Sequence, residues 1–225
     1  MQNAAFVGFS HCVTTSGDCR ICNGEFLKCM NECISVREGK LTMRQCTIRS
    51  ASGSLAGIVF ESRTERARLD SVTVTNGRIG ALMQGDFLLE NCVIERCKEM
   101  GVVVDSNDRS LFGVVKGCRI ERCKEGIHGK SVDLSVVDSS LKYCDTAISA
   151  LDSAGFQCIR CQIHACHSLG ILCQRVMTVR INENCIYDCR DGVTLAEVRY
   201  CQFHSNCVAY VRESILLFRS TIVCL

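Results

Sequence analysis

The feature that most constrains the fold is an internal repeat with an average period of about 22 residues. The octets "CVIERCKE" at 92–99 and "CRIERCKE" at 118–125 share seven of eight residues at an interval of 26. The third, apolar residue of each octet recurs along the chain as an anchor. The predicted anchors are Ile48, Val74, Ile94, Ile120, Leu141, Ile163, Ile186 and Phe203. Such a period is typical of a solenoid, in which each repeat packs against its neighbours.

Between anchors, apolar residues alternate with period two, which indicates β-strands rather than helices. One inward pair is predicted after a glycine, or after Ala147 in its place: Ile58/Phe60, Val102/Val104, Ile148/Ala150, Ile171/Cys173 and Val193/Leu195. Another is predicted before each anchor: Phe87/Leu89, Phe112/Val114, Leu134/Val136, Phe156/Cys158 and Val179/Ile181. Three short strands cannot bury their own apolar faces, whereas stacked repeats can. The prediction is an all-β, single-stranded, right-handed parallel β-helix solenoid of about ten coils, with three short strands per coil.

Two further observations refine this architecture. The chain contains no proline, as expected where nearly every strand is internal and needs its backbone N–H. A small residue follows each anchor by three positions, and five of these are predicted to stack as a buried column: Cys97, Cys123, Cys144, Cys166 and Cys189. The repeated octet therefore marks a position in a solenoid. Residues 41–225 are predicted to form one continuous β-helix, and residues 1–40 irregular N-terminal coils or a cap.

Composition limits the function classes. The formal net charge of +2 does not favour nucleic-acid binding, and no apolar stretch approaches the ~20 residues of a membrane helix. The chain carries 20 cysteines, but its N-terminus lacks the basic and apolar regions of a signal peptide. We therefore predict reduced thiols and a cytoplasmic location, with cytoskeletal association as one option.

The spacing Cys118-x-Ile120…Cys123…Gly126-Ile127 resembles the parallel β-helix repeat of the pectin-lyase-like superfamily. It is most similar to an intracellular branch that includes the β-helix F-box proteins and the Shc SH2-domain-binding protein/Nessun dorma group. The resemblance covers roughly residues 41–225. It implies an interaction surface in a large intracellular assembly. No part of the chain resembles an F-box, so a ubiquitin-ligase role is not carried over.

The polysaccharide-cleaving branch of this superfamily implies clustered carboxylates with His and Lys. The sequence has no Asp-Asp pair, and the carboxylates nearest to His128 by coil alignment are Asp105 and Glu125, with Asp152 further along. His128 falls in an outward column that predicts an ordinary exposed position. The acidic stretch "DSNDR" at 105–109 could serve a Ca²⁺ site but is equally typical of a corner. We predict no catalytic residue and no cofactor.

Zinc is the more serious chemical alternative. Cys12, Cys19, Cys22 and Cys29 lie close together in the sequence, with Cys33 shortly after. One Cys-x-x-Cys with further thiols nearby suggests a metal site, although a zinc ribbon has paired spacings. The competing interpretation places these thiols in the same columns as the later ones. No metal ligand is predicted, and the zinc alternative stays open. His164 and His204 are expected to be exposed.

The apolar C-terminal stretch at 200–225 predicts a terminal coil that other proteins cover, that stacks on a second copy, or that further sequence beyond residue 225 covers. Together these observations predict a non-enzymatic scaffold for protein–protein interaction. The alternative is a carbohydrate-active or carbohydrate-binding β-helix. A groove lined by carboxylates and aromatic side chains favours this alternative, and a flat face with rows of paired charges favours the scaffold.

Overall fold

The computed structural model describes residues 1–51, 53–61, 65–105 and 111–220. These residues form 29 β-strands in three parallel sheets of ten, ten and nine strands, and no helix. Each turn of chain adds one strand to each sheet, so consecutive strands belong to different sheets. The result is a parallel β-solenoid of about nine turns, as the repeat predicts. The described residues contain no helix that could cross a membrane.

The strands are named in chain order. Sheet 1 contains β1 (Ala5–Val7), β4 (Glu25–Cys29), β7 (Thr47–Ser50), β10 (Thr73–Thr75), β13 (Val93–Glu95), β16 (Arg119–Glu121), β19 (Ser140–Lys142), β22 (Gln162–His164), β25 (Cys185–Tyr187) and β28 (Cys207–Ala209). Sheet 2 contains β2 (Val13–Thr15), β5 (Glu32–Val36), β8 (Ala56–Phe60), β11 (Ile79–Met83), β14 (Met100–Asp105), β17 (Glu125–Lys130), β20 (Thr146–Leu151), β23 (Leu169–Gln174), β26 (Asp191–Ala196) and β29 (Glu213–Phe218). Sheet 3 contains β3 (Cys19–Cys22), β6 (Leu41–Arg44), β9 (Arg66–Asp70), β12 (Asp86–Glu90), β15 (Leu111–Lys116), β18 (Val132–Val137), β21 (Gly155–Ile159), β24 (Thr178–Asn182) and β27 (Tyr200–His204).

The anchor residues stack along sheet 1, where they are buried. Ile94 pairs with Val74 on one side and with Ile120 on the other, and the column continues to Ile186. The last predicted anchor was wrong, because Ile186 pairs with Val208, whereas Phe203 pairs with Ile181 in sheet 3. Taking Phe203 as the anchor left an interval of 17 residues, too short for the coil.

The corner after each anchor explains the cysteine column. Arg122 has a left-handed backbone conformation (φ 57), which turns the chain after β16. The next residue, Cys123, is buried, and its thiol donates to the backbone carbonyl of Glu121 at 3.5 Å. Cys144 donates to the carbonyl of Lys142 in the same way, also at 3.5 Å. A thiol is therefore small and apolar enough for this corner, and it satisfies a carbonyl there. All five predicted members of the column are buried.

The sequence prediction assigned the wrong register to one strand of sheet 3. Phe112 and Val114 were predicted to face inward, but Gly113 pairs with Phe87 and Val115 pairs with Leu89. Gly113 and Val115 therefore fill the inward positions, and Phe112 lies on the outer surface with 51% of its area exposed. A one-residue shift reverses the face of every side chain in a strand.

The N-terminal residues continue the same architecture. Strands β1 to β5 lie within residues 1–40 and pair in parallel with strands of the following coils in all three sheets. Phe26 pairs with Ile48 and is buried, so it extends the anchor column toward the N-terminus. The boundary expected at residue 41 has no counterpart in the order of the sheets.

Candidate functional site

A shallow groove follows the outer face of sheet 3. Two adjoining cavities of about 200 Å³ each form it, and they share Thr178 and Arg180. Phe112 borders the first cavity and Tyr200 borders the second; 51% and 56% of their areas are exposed. Backbone register explains this alignment, because Phe112 pairs with Asp133, and Thr178 pairs with both Gly155 and Tyr200. Two exposed aromatic rings thus stand at the ends of one column, four coil spacings or roughly 19 Å apart.

A second column supplies polar groups beside the first. Ser135, Gln157, Arg180 and Gln202 pair in succession across four strands. The Gln157 side-chain amide donates to the Ser135 hydroxyl at 2.8 Å, which holds the amide in place. Asp133 is held by the backbone N–H of Gly155, which donates to Oδ1 at 2.8 Å. The groove therefore presents hydroxyl, amide, carboxylate and guanidinium groups between two aromatic side chains.

A separate polar cluster lies on sheet 2. His128 pairs with Ser149 in the ladder, so the predicted outward column is confirmed. The side chain is half-buried rather than freely exposed, however, and its Nδ1 lies 3.2 Å from Glu125 Oε1 and 3.0 Å from Ser149 Oγ. The Ser149 hydroxyl also donates to Glu125 Oε1. Both partners meet the same ring nitrogen, so the arrangement differs from a Ser-His-acid triad, which uses both nitrogens.

The cluster shifts the pKa values of its two charged members in opposite directions. Burial alone would raise the pKa of Glu125, but hydrogen bonds from His128 and Ser149 and the nearby charges of His128 and Lys124 outweigh it and lower that pKa. The hydrogen bond to Glu125 raises the pKa of His128 against the effect of burial, and the charge of Glu125 adds to it. The charged pair is thereby stabilised at mildly acidic pH.

The other acidic residues that the sequence singled out are dispersed. Asp105 pairs with Lys130 at the end of β14, and its charge also raises the pKa of His128. Asp152 forms an ion pair with Arg175 on the adjacent coil. Residues 106–109 of the acidic stretch lie outside the described residues, so the Ca²⁺ hypothesis remains untested there. Neither Asp105 nor Asp152 lines the groove.

The N-terminal cysteines separate into two groups. Cys12, Cys29 and Cys33 bring their sulfur atoms within 4.8 Å of one another, whereas Cys19 and Cys22 lie on β3 in another sheet. Hydrogen bonds with the thiols of Cys33 and Cys12 lower the pKa of Cys29 to about 7, and burial raises the pKa of Cys12 to about 12. The four cysteines of the zinc hypothesis are therefore not the set that the fold brings together.

The two histidines that were predicted to be exposed, His164 and His204, lie in different sheets. His164 follows an anchor as predicted, but it is only partly exposed and stacks on Tyr187 with ring centroids 4.3 Å apart. His204 lies in sheet 3 opposite Asn182 and is exposed. Neither lines the groove on sheet 3.

Exposed ion pairs join neighbouring coils elsewhere on the surface. These pairs have charged atoms 2.7 to 3.0 Å apart: Arg68–Glu90, Arg78–Glu99 and Arg160–Asp138. Exposed pairs of this kind add little to stability. Each pair links two adjacent coils, and the scaffold hypothesis stays a prediction.

The family model for the right handed beta helix region matches residues 11–142, more than half of the chain, and the chain belongs to this family. Among curated proteins, none matches the sequence. Two solved structures are similar: the A-module of the mannuronan C-5 epimerase AlgE6 from Azotobacter vinelandii, and the periplasmic alginate epimerase AlgG. The first has 12% identity and a TM-score of 0.45 over 98% of this chain and 77% of the epimerase chain. The second has 9% identity and a TM-score of 0.36 over 91% of this chain and 77% of the other. At these levels of similarity, neither structure bears on the function of this chain.

No pattern in the sequence indicated the aromatic and cationic residues of the groove. Phe112 was assigned to the core, and Tyr200 and Arg180 were not singled out. The available signal was the triplet Leu111-Phe112-Gly113, in which either Phe112 or Gly113 can face inward. Only the packing of the neighbouring coil distinguishes the two registers.

Proposed function

We propose that this β-helix binds an oligosaccharide along the groove of sheet 3. The observation that carries the proposal is the alignment of Phe112 and Tyr200 at the two ends of one polar groove. A pyranose ring has an apolar C–H face that packs on an aromatic ring and a rim of hydroxyls that forms hydrogen bonds. The planar guanidinium of Arg180 can donate two parallel hydrogen bonds, which suits neighbouring hydroxyls or a sugar carboxylate.

We propose binding without cleavage. Glycoside hydrolysis ordinarily needs two carboxyl groups about 5 to 9.5 Å apart on either side of the scissile bond. Asp133 is the single carboxylate among the described residues that line the two cavities, and its Oδ1 already accepts a hydrogen bond from Gly155. Incubation with a bound oligosaccharide should therefore leave it intact, and release of shorter or unsaturated products would contradict this part of the proposal.

Calorimetric titration against neutral and uronate-containing oligosaccharides tests the binding. Phe112→Ala and Arg180→Ala should each weaken binding by about tenfold, which corresponds to about 1.4 kcal/mol. Tyr210→Ala is the matched control, because this aromatic side chain is 88% exposed and lies outside the groove. Unfolding midpoints should stay close to that of the parent chain. Failure of every oligosaccharide to bind, or equal loss in the control, would reject the proposal.

A second candidate is a protein-interaction scaffold in a cytoplasmic assembly, for example of the cytoskeleton, in line with the intracellular branch that the repeat resembles. One observation favours it: β29 carries exposed Leu217 and Phe218 on its outer edge, in the stretch predicted to be covered. The occupant we propose is a second copy of this chain. Sedimentation should then reveal concentration-dependent dimers that Leu217→Asp abolishes, with Leu55→Asp as the control. A monomer at all concentrations would reject self-stacking.

A further inference from the structure

The position that opens each strand of sheet 2 holds cysteine in the first two coils and a smaller residue, mostly glycine, in the later coils. The N–H of Cys12 donates to the carbonyl of Cys33 at 3.1 Å, and the register of β5 on β8 places Cys33 opposite Gly57. Both cysteines therefore belong to the column that opens sheet 2. In the later coils, the residues at this position are small: Gly57, Gly80, Gly101, Gly126, Ala147, Gly170, Gly192 and Ser214.

The later coils show why small residues dominate this column. A Cβ at Gly101 would lie 2.6 Å from the carbonyl oxygen of Gly126 and 3.4 Å from Cys123 Sγ. The corner at Gly101, like that at Gly80 beside Cys97, thus has room for one thiol next to a glycine. Cys29 is the thiol of the column after the anchor in the second coil, and Cys12 and Cys33 add two more sulfur atoms beside it.

The three sulfur atoms converge. Cys29 Sγ lies 2.8 Å from Cys33 Sγ and 3.1 Å from Cys12 Sγ. Cys29 and Cys33 are buried, and Cys12 is half-buried, so the cluster is closed on the core side and reachable from solvent on the Cys12 side. Among the described residues, this is the one group of three or more His, Cys, Asp or Glu ligand atoms that lie within 4.8 Å of one another.

We propose that Cys12, Cys29 and Cys33 bind one zinc ion, with a fourth position open to a solvent molecule on the Cys12 side. With Zn–S bonds of about 2.3 Å, tetrahedral geometry needs sulfur atoms roughly 3.8 Å apart. The sulfur of Cys29 must therefore move about 1 Å further from that of Cys33 and about 0.7 Å further from that of Cys12. Binding replaces the three thiol protons with one Zn²⁺, and the protons pass to solvent.

The ligand set selects the ion. Three sulfur atoms without oxygen ligands exclude Ca²⁺ and Mg²⁺ and favour a soft or borderline cation. With three thiolates, Zn²⁺ leaves one net negative charge at the corner, whereas Cu⁺ would leave two. Burying the smaller charge costs less.

The site would tie the first two coils together. Cys12 precedes β2, Cys29 ends β4 and Cys33 lies in β5, so one ion would bridge segments 21 residues apart at the N-terminal end of the solenoid. A ligand that binds the folded state alone stabilises it. Zinc should therefore raise the unfolding temperature of the chain.

The test uses the full chain, reduced and stripped of metal, with Zn²⁺ as the probe and Co²⁺ as its spectroscopic substitute. We expect one ion per chain by native mass spectrometry, a sulfur-to-cobalt charge-transfer band, and a higher unfolding midpoint with Zn²⁺. Cys12→Ser should weaken Zn²⁺ binding at least about tenfold. Cys33→Gly, which installs the residue of the neighbouring coils and should fold, should do the same. Cys22→Ser is the matched control and should bind normally.

Three outcomes would overturn the proposal. The first is a reduced chain that binds neither Zn²⁺ nor Co²⁺. The second is equal binding by the parent chain, Cys12→Ser and Cys33→Gly. The third is binding of Cu⁺ without Zn²⁺. Because Cys22 and the groove on sheet 3 lie outside the cluster, loss of zinc binding and loss of oligosaccharide binding are separable.

Discussion

The ring of Phe87 occupies the space in which Gly113 would otherwise carry a side chain. The two residues pair across β12 and β15, and a Cβ at Gly113 would lie 2.4 Å from the Phe87 ring. Gly113 must therefore be the inward residue of its strand. Because side chains alternate, Phe112 then faces outward, where it becomes the first aromatic side chain of the groove.

Replacing Gly113 with alanine should destabilise the fold by about 1 to 3 kcal/mol, because the added methyl group forces the Phe87 ring to move in a packed core. Gly155→Ala is the matched control. Its Cβ would meet Asp133 Oδ1 at 3.7 Å, an ordinary contact, so its stability should change little. Urea unfolding of the two variants measures the difference. Equal stability of both variants would show that the Phe87 ring can adopt another packed conformation at no cost.

The thiols should react in the order of their burial. Cys207 is exposed and should be alkylated first, whereas Cys144 is buried and its pKa is raised to about 12, with burial as the largest cause. Alkylation requires the thiolate and access, so Cys144 should react at least about a hundredfold more slowly. Timed alkylation followed by peptide mass spectrometry gives both rates. Cys207→Ser should remove the fast phase; similar rates for the two thiols would mean that the corner opens readily.

Glu125 and His128 should make stability depend on pH. The raised pKa of His128 gives a contribution that is complete below its ordinary 6.5 and is lost as pH rises through the raised value. The lowered pKa of Glu125 gives a contribution that is complete above its ordinary 4.5 and is lost as pH falls through the lowered value. The charged pair therefore stabilises the fold most between the two ordinary pKa values, 4.5 and 6.5, where both contributions are complete.

His128→Gln should accordingly cost about 1 kcal/mol more at about pH 5.5 than at about pH 8. Unfolding in urea at the two pH values measures this difference. His204→Gln is the control, because this exposed histidine lies far from the cluster in another sheet. A cost that is the same at both pH values would mean that the pair is not charged in the folded state.

Oligosaccharide length should affect affinity if both ends of the groove are used. Affinity should rise with the number of sugar units until the ligand spans the roughly 19 Å between Phe112 and Tyr200, and then level off. Tyr200→Ala should abolish the advantage of the longer ligands and leave the short ones unaffected. Titrations of a length series against both chains measure this. A series without length dependence would restrict the site to the Phe112 end.

The sequence was sufficient to predict the architecture because every coil of a solenoid repeats the same pattern of buried and small residues. A buried apolar residue every coil, a small residue three positions later and a glycine before the next strand make each coil predict the next. Where the pattern breaks, prediction failed: the short last interval misassigned Phe203, and the ambiguous Phe112-Gly113 pair reversed one strand. The first error placed a residue in the wrong sheet, and the second shifted one strand by one residue, which reverses its two faces.

Periodicity thus determined that the chain forms stacked parallel strands around a core of isoleucine, valine and cysteine, since period-two alternation can bury only one face of each strand. Tertiary structure decided which side chains meet between coils. Phe112 and Tyr200 are 88 residues apart in the chain, and Cys12 and Cys33 are 21 apart. Which residues become neighbours depends on the number of residues in every coil between them. Only the strand pairing in the folded structure shows that number for each coil.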